Sequence, residues 1–306
     1  MKQLKNVALA CLLILSLAGL AGCSTNGSGN AIASSKAPDA TVSSSSKVST
    51  QKPIIAVTIV PEQTFVEAVC GDLAEVITMV PPGNSPENFE PTPQEMEQFS
   101  KASLYFSIGV PTEKANILPN AGNVKVIALQ DAVSAEYPER TFESGERDPH
   151  IWLSPKRAVV IVKTIAKDMC ELDPSNADTY NSNAQTYIDQ LNDLDQSIKD
   201  ALNGVQSKKF IVYHPAFGYF ADDYGLTMYA LEEDGKKATA KHLQEMVDLA
   251  KKENIKVIFY QEEIDSSQSA AFAEEIGGKT TQLAPLAANY IENIKSMADL
   301  MAEVMQ

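Results

Sequence analysis

Asp148-Pro149-His150-Ile151-Trp152-Leu153-Ser154-Pro155 holds one of three histidines and the single tryptophan of a 306-residue chain. Ser154 before Pro155 predicts a helix start: a hydroxyl N-cap, then proline in the first turn. Val159, Val162, Ile165 and Met169 recur at helical spacing, so the helix is expected to run to about Leu172. The stretch therefore reads as a hinge, where a loop gives way to a long helix. A histidine there is within reach of two lobes at once.

Before the hinge, strand and helix alternate. Ile54 to Val60 is a continuous apolar and β-branched run, as a strand buried on both faces should be. Pro61-Glu62 opens a helix that Gly71 stops. Glu75–Val80 is a second strand, followed by a Pro/Gly/Asn loop over 81–93 that is too long for a simple turn. A helix over 94–102, a strand over 104–108 and a strand over 124–129 complete a β-α-β-α-β series, which implies a parallel sheet with helices on its faces. Residues 130–148 read as polar and irregular.

After the hinge helix, Asp173-Pro174 starts a second long helix over roughly 175–202. Its apolar residues are sparse, so it is expected on the surface. The alternation then resumes: strands over 209–214, 226–231, 256–260 and 280–284, and helices over 217–224, 239–253, 266–276 and 288–304. The expected fold class is α/β, with two lobes, each a mainly parallel β-sheet flanked by helices, bridged by one long α-helix. The boundaries expected are 53–153 for the first lobe, 154–172 for the linking helix and 173–306 for the second lobe. In open α/β sheets, ligands bind beyond the carboxyl ends of the strands. The loops of unusual chemistry sit at such ends.

The N-terminus reads as a targeting segment. Lys2 and Lys5 precede an apolar run over 7–20 that ends in Leu20-Ala21-Gly22-Cys23. The run is short for a membrane span. Cys23 directly after Leu-Ala-Gly resembles a bacterial lipobox, so 1–22 is expected to be a lipoprotein signal and Cys23 the lipidated residue. Residues 23–52, rich in Ser, Thr, Ala, Gly and Asn, have the composition of a disordered tether.

Net charge is −15. This argues against nucleic-acid binding, which needs basic patches. It is compatible with cation handling, but solvated acidic faces are the commoner explanation of such a balance. Of four cysteines, Cys11 would leave with the signal and Cys23 would carry lipid. Cys70 and Cys170 remain, either paired or free, with no CxxC or Cys-His spacing around them.

His150, and His214 in Tyr213-His214-Pro215-Ala216-Phe217, are candidate metal ligands, because imidazole suits zinc and related metals. Each is alternatively a satisfied structural histidine. Asp148 either fixes the tautomer of His150 or caps the helix. Glu87 and Glu90 lie in a Pro-bounded loop, as ligands or as loop-bracing and solvent-exposed groups. Glu262, Glu263 and Asp265 follow a strand, where helix N-terminal charge complementarity also explains them. His242 reads as a surface residue. No HExxH, phosphate-cradling glycine loop or GxSxG is present, so no enzyme constellation stands out.

The lipobox, Pro82-Gly83-Asn84-Ser85-Pro86-Glu87-Asn88-Phe89-Glu90-Pro91-Thr92-Pro93, the Asp148–Pro155 block and His214-Pro215-Ala216-Phe217-Gly218-Tyr219-Phe220 together resemble the zinc/manganese solute-binding lipoproteins of bacterial metal ABC transporters, the adhesin-like lipoproteins. The likeness covers residues 53–306 in the expected order. It implies two α/β lobes joined by a rigid helix, with the metal held between them. His150 and His214 match the family's second and third ligands. The first, usually histidine, is here Glu87. The aspartate of the usual Leu-Asp-Pro-Leu block is here Ala284, which cannot coordinate. The acid expected after the preceding strand aligns with Gln261, a weak fourth ligand for which Glu263 or water could substitute. The His-rich loop of some zinc-specific members is absent from 130–148.

The resemblance implies a monomeric binding protein, not an enzyme. It would be held on the outer side of the cell membrane by its lipid, and would take a divalent transition metal, zinc first, manganese or iron second, to an ABC permease. The rival expectations are a same-fold protein for a non-metal ligand, a surface adhesin working through an outer patch, and a metal hydrolase, which would need an open coordination position and a general base.

Overall fold

The computed structural model describes residues 52–233, 236–264 and 267–305. Cys23, the apolar run and the tether lie outside the described residues.

The first lobe runs β1 (Ile54–Val57), α1 (Val60–Cys70), β2 (Glu75–Thr78), α2 (Pro93–Phe99), β3 (Leu104–Ser107), β4 (Lys125–Ala128) and α3 (Leu129–Glu136). Its four strands are parallel in the order β2-β1-β3-β4. The central strands are those that read as unbroken apolar runs. Ile55, Ala56 and Val57 are fully buried, and so is all of β3. A strand covered by helices on both faces has no solvent side on which to alternate.

Two long helices follow, α4 (Pro155–Leu172) and α5 (Ala177–Leu202). The Ser154 hydroxyl accepts from the Arg157 N–H at 3.3 Å and caps α4. The second lobe runs β5 (Lys209–Val212), α6 (Gly218–Asp223), β6 (Thr227–Ala230), α7 (Ala240–Lys252), β7 (Val257–Gln261), α8 (Ser267–Glu275), β8 (Lys279–Leu283) and α9 (Tyr290–Val304). Its sheet, again parallel, repeats the first lobe's order as β6-β5-β7-β8.

One expectation is extended and one corrected. Helix α5 has the exposed face expected of it, but it also carries a buried stripe. Tyr180, Ala184, Ile188, Leu191, Leu194, Ile198 and Leu202 are buried along it, and it packs against α1, α4 and α9. Its apolar residues are few but fall every three or four positions, which is one continuous stripe. Helix α4 packs on α5, α1 and α3, and α5 also meets α1 from the first lobe and α9 from the second. The segment 130–148 is not wholly irregular. Helix α3 occupies its start and buries Leu129 and Val133, too few apolar residues to show a period. A short antiparallel bridge between Thr141 and Arg147 follows.

In each sheet the chain reverses winding between the first and third strands, so the switch points lie between β1 and β3 and between β5 and β7. Ligand crevices of open α/β sheets form at the carboxyl ends of such strands. His214 lies two residues beyond β5, and Gln261 is the last residue of β7.

Candidate metal centre

The second lobe supplies His214. Its strand continues past β5, with the Tyr213 N–H donating to Phe259 O at 2.8 Å, and the ring is delivered at the crevice between β5 and β7. The hinge supplies His150, which opens a single 3-10 turn, Ile151–Leu153, before α4 begins. That turn is tied to the second lobe. The Trp152 indole N–H donates to Pro285 O at 3.0 Å, and the Tyr290 hydroxyl donates to Trp152 O at 2.6 Å. The first lobe supplies Glu87 from the loop after β2. That loop is fixed by the Thr112 N–H on Pro86 O at 3.1 Å, and by the Asn116 amide on Phe89 O at 2.8 Å.

Three segments far apart in sequence thus bring Glu87, His150 and His214 together, with one ligating atom of each within 4.8 Å of the others. His214 Nε2 lies 3.2 Å from His150 Nε2 and 3.7 Å from Glu87 Oε1. Both imidazoles are buried, at 3% and 4% exposure. The space between them is a cavity of about 10 Å³, lined also by Ser85, Trp152, Gln261 and Pro285. That is room for one water-sized body.

The other ring nitrogen of each histidine faces a carboxylate. His150 Nδ1 is 2.8 Å from Asp148 Oδ1, which also accepts the His150 backbone N–H at 3.0 Å. His214 Nδ1 is 2.7 Å from Glu232 Oε2. A carboxylate can only accept, so both Nδ1 atoms carry the hydrogen, and in the neutral rings both Nε2 atoms present lone pairs. Two lone pairs facing each other at 3.2 Å repel. The arrangement calls for a positive centre between them.

Asp148 is itself braced. Its Oδ2 lies 3.5 Å from Arg140 Nε, and its carbonyl accepts from the Tyr219 hydroxyl at 3.1 Å. Gly218 is required for this approach: a Cβ there would lie 2.5 Å from Arg140 Nε and 2.8 Å from Asp148 Oδ2. Burial holds the Glu87 carboxyl above its ordinary range. The His214 ring opposes this, and the charges of Glu232 and Asp148 add to it.

Among the remaining candidates, Gln261 is buried and lines the cavity. Glu263 is not among the cavity's lining residues, and Glu90 is exposed. The Ala284 carbonyl accepts from the Asn293 amide and the Ala287 N–H, while the next two residues, Pro285 and Leu286, line the cavity. Asp265 lies outside the described residues. His242, expected on the surface, is half-buried and its Nε2 donates to Ala230 O at 3.0 Å. Cys70 and Cys170 are free, and burial pushes the Cys70 thiol up to about 12.

Sequence reasoning missed Glu232. It lies two residues past β6, and its N–H donates to Tyr213 O at 2.9 Å, which extends the β5–β6 ladder and places it beside His214. The available signal was an acid just past the strand that pairs with the histidine's strand. Glu232→Gln keeps an acceptor for Nδ1 but loses the charge, so zinc affinity should fall about 10-fold; Glu232→Leu, which removes the acceptor, should cost about 100-fold. Competition titration against a chromophoric chelator measures both. Equal affinities in wild type and the leucine variant would show that Glu232 does not orient the ring.

A larger hollow, about 670 Å³, opens at the amino ends of β5 and β7. There Lys209 is paired with Glu253, and the amines of Lys208 and Lys256 bond backbone carbonyls, so the charges are already used.

The family described as zinc-uptake complex component A, periplasmic (ZnuA), matches residues 55–304. The high-affinity zinc uptake system protein ZnuA of Bacillus subtilis (strain 168) is 30% identical over 247 residues, covering 75% of this chain and 77% of that protein. The zinc-binding protein AdcA of Streptococcus pyogenes serotype M1 is 28% identical over 257 residues, covering 76% of this chain and 50% of AdcA, so the chain spans about half the length of that relative. Among solved structures, a crystal structure of ZnuA superposes with a TM-score of 0.78 at 34% identity, over 84% of this chain and 100% of that one. With the family's two-lobed fold in place and the match running through both lobes, the chain belongs to the ZnuA family of zinc-uptake components.

Proposed function

We propose that the chain captures a divalent transition metal between its lobes on the outer side of the cell membrane and delivers it to an ABC permease. Zinc is the first candidate, with manganese and iron admitted by the same donor set. Glu87, His150 and His214 would be the ligands, and Gln261 or water would complete the shell. Cys23 would carry the lipid anchor. The protein would act as a monomer and as a binder, not an enzyme. Among the described residues, no helix is long and apolar enough to cross a membrane.

The observation that carries this reading is the pair of Nε2 lone pairs, 3.2 Å apart, with the Glu87 carboxylate beside them. In a tetrahedral zinc site with bonds of about 2.0–2.1 Å, ligand atoms lie roughly 3.3–3.4 Å apart. The spacings of 3.2 and 3.7 Å are of that size. A cavity of about 10 Å³ fits an ion and not an organic solute, which supports a metal over a non-metal ligand.

The test is elemental analysis of the purified chain after loading and dialysis, with about one zinc per chain expected. Zinc should also raise the melting temperature, because it binds only the folded state. No retained metal and an unchanged melting temperature would overturn the reading. Affinity should fall as pH drops from about 7 to about 5, because ligands must be deprotonated to bind. Glu87, held up by burial, takes a proton at higher pH than a free glutamate and so withdraws as a ligand early in the descent. Chelator competition at several pH values checks the sign. An affinity that does not change with pH would exclude these ligands.

A further inference from the structure

At the carboxyl ends of β1 and β3, the first lobe's counterpart of the crevice that holds His214 and Gln261, two carboxylates are buried. Glu62, in the first turn of α1, is 0% exposed and Glu113 is 1% exposed. Among the described residues neither forms an ion pair with a Lys, Arg or His. Both meet on Thr58: its N–H donates to Glu62 Oε2 at 3.0 Å, and its hydroxyl donates to Glu113 Oε1.

The donors can be counted oxygen by oxygen. Glu62 Oε2 accepts from the N–H groups of Thr58 and Ile59, both at 3.0 Å. Glu113 Oε1 accepts from the Thr58 hydroxyl and from the Ile108 N–H at 2.8 Å. Glu113 Oε2 accepts from the Gly109 N–H at 2.8 Å. The Thr58 proton is committed to Glu113, so the Tyr105 hydroxyl, 2.7 Å away, donates to Thr58 Oγ1. Glu62 Oε1 is the one carboxyl oxygen of the pair that is buried with no partner.

Two neighbouring carboxylates without a cation cannot both stay ionised in a buried site. Glu62 Oε2 and Glu113 Oε1 each already receive two donors and Glu113 Oε2 receives one, so Glu62 Oε1, which receives none, is the oxygen freest to carry a hydrogen. We propose that Glu62 and Glu113 form a one-proton site, with the proton on Glu62 Oε1 and the charge on Glu113. Burial pushes Glu62 well above the ordinary carboxyl range, and the Glu113 charge adds to that. Burial pushes Glu113 up as well, against the bonds from Ile108, Thr58, Gly109 and Tyr105 that pull it down. Tyr105, from β3, is the other titratable group facing the pair.

Glu113 acts as a positioning residue. Its carboxylate fixes the turn at Ile108-Gly109. The residues beside it hold the loop that carries Glu87: Thr112 bonds Pro86 O through its N–H and Phe89 O through its hydroxyl, and Asn116 bonds Phe89 O. The proton on Glu62 lets the single charge of Glu113 stay in place behind that loop. The site stands whether or not the cleft takes a metal.

Infrared difference spectra of the whole chain at pH 7 test the proton's location. The carbonyl stretch of an un-ionised carboxylic acid should disappear in Glu62→Gln and remain in Glu113→Gln. Disappearance in Glu113→Gln instead, or in neither variant, overturns the assignment. Urea unfolding gives an independent readout. The folded state keeps a proton that the unfolded state releases above about pH 4.5, the ordinary glutamate value. The folding equilibrium constant of wild type relative to Glu62→Gln should therefore fall by up to about tenfold per pH unit above that value. Parallel curves for the two proteins overturn the proposal. Amide exchange at Gly109 and Thr112 should speed up in Glu113→Gln and not in Glu62→Gln. Equal effects in both variants would remove the positioning role.

Discussion

His214→Ala lowers zinc affinity by more than about 100-fold, and His150→Ala does the same. Loss of an outer partner that merely orients a ligand typically costs about 10–100-fold, and removal of the ligating nitrogen should exceed that range. The geometry gives each imidazole an equal share. Their Nε2 atoms face each other at 3.2 Å, and among the described residues the cluster holds no third imidazole. The consequences for the empty protein differ. Asp148 keeps Arg140 as a counter-charge when His150 is removed. Glu232 has only His214 as an ion-pair partner among the described residues, so His214→Ala leaves Glu232 and Glu87 facing across the cavity. His214→Ala should therefore be the less stable of the two without metal. Elemental analysis and chelator competition measure the affinity loss, and far-UV circular dichroism shows whether the fold survives. Wild-type zinc content in a folded His150→Ala or His214→Ala would remove the cleft as the binding site.

The two-lobed fold was legible because parallel central strands leave a direct trace. Residues 55–57, 104–106 and 210–212 are buried, so they read as short unbroken apolar runs set apart by helices. The burial of α5 was not legible from how many apolar residues it has. It lay in their spacing, since a stripe every three or four residues buries a helix however polar the rest is. His150 and His214 were legible as unusual residues at Pro-bounded ends of elements. Glu87 was legible only as one of two carboxylates in a Pro-bounded loop, and the family likeness alone chose it over Glu90, because a carboxylate in a loop carries no pattern.

Glu232, Glu62 and Glu113 were not legible, for a physical reason. Each owes its role to a partner fixed by sheet register or by burial. Glu232 meets His214 because β6 pairs with β5 in a register that sets Ala230 against Val212, and the ladder runs on through the Leu231 N–H on Val212 O and the Glu232 N–H on Tyr213 O. Glu62 reads locally as an acid that suits a helix N-terminus. Its bonds to the Thr58 and Ile59 N–H groups are local to that helix start; only the packing of β1 against β3 brings Glu113 to the same threonine.

Asp223→Ala destabilises the protein by about 3–5 kcal/mol, the cost expected when one partner of a buried ion pair is removed. The Asp223 side chain, at the end of α6, is 3% exposed, and its partner Arg157, in the first turn of α4, is 5% exposed. Arg157 reaches Asp223 Oδ1 at 2.9 Å and Oδ2 at 3.1 Å. The Ser154 hydroxyl donates to Asp223 Oδ2 at 2.5 Å, so the N-cap of α4 is part of the same network. The guanidinium lies 4.4 Å from the Tyr219 ring centre and 5.3 Å from that of Tyr137. Its Nε has no hydrogen-bond partner. With Asp223 gone, a cation held between two aromatic rings would keep few acceptors and could not reach water without unpacking α6 from the hinge. Lys156, also paired with Asp223, is more exposed and can turn to solvent at little cost. The loss should therefore trace to Arg157. Arg157→Met combined with Asp223→Leu should be clearly more stable than the sum of the single changes, because an apolar pair leaves no stranded charge. Urea unfolding of the single and double variants measures the coupling. A loss below about 1 kcal/mol in Asp223→Ala, or strict additivity in the pair, would mean that the lobes are held together at this point by packing alone.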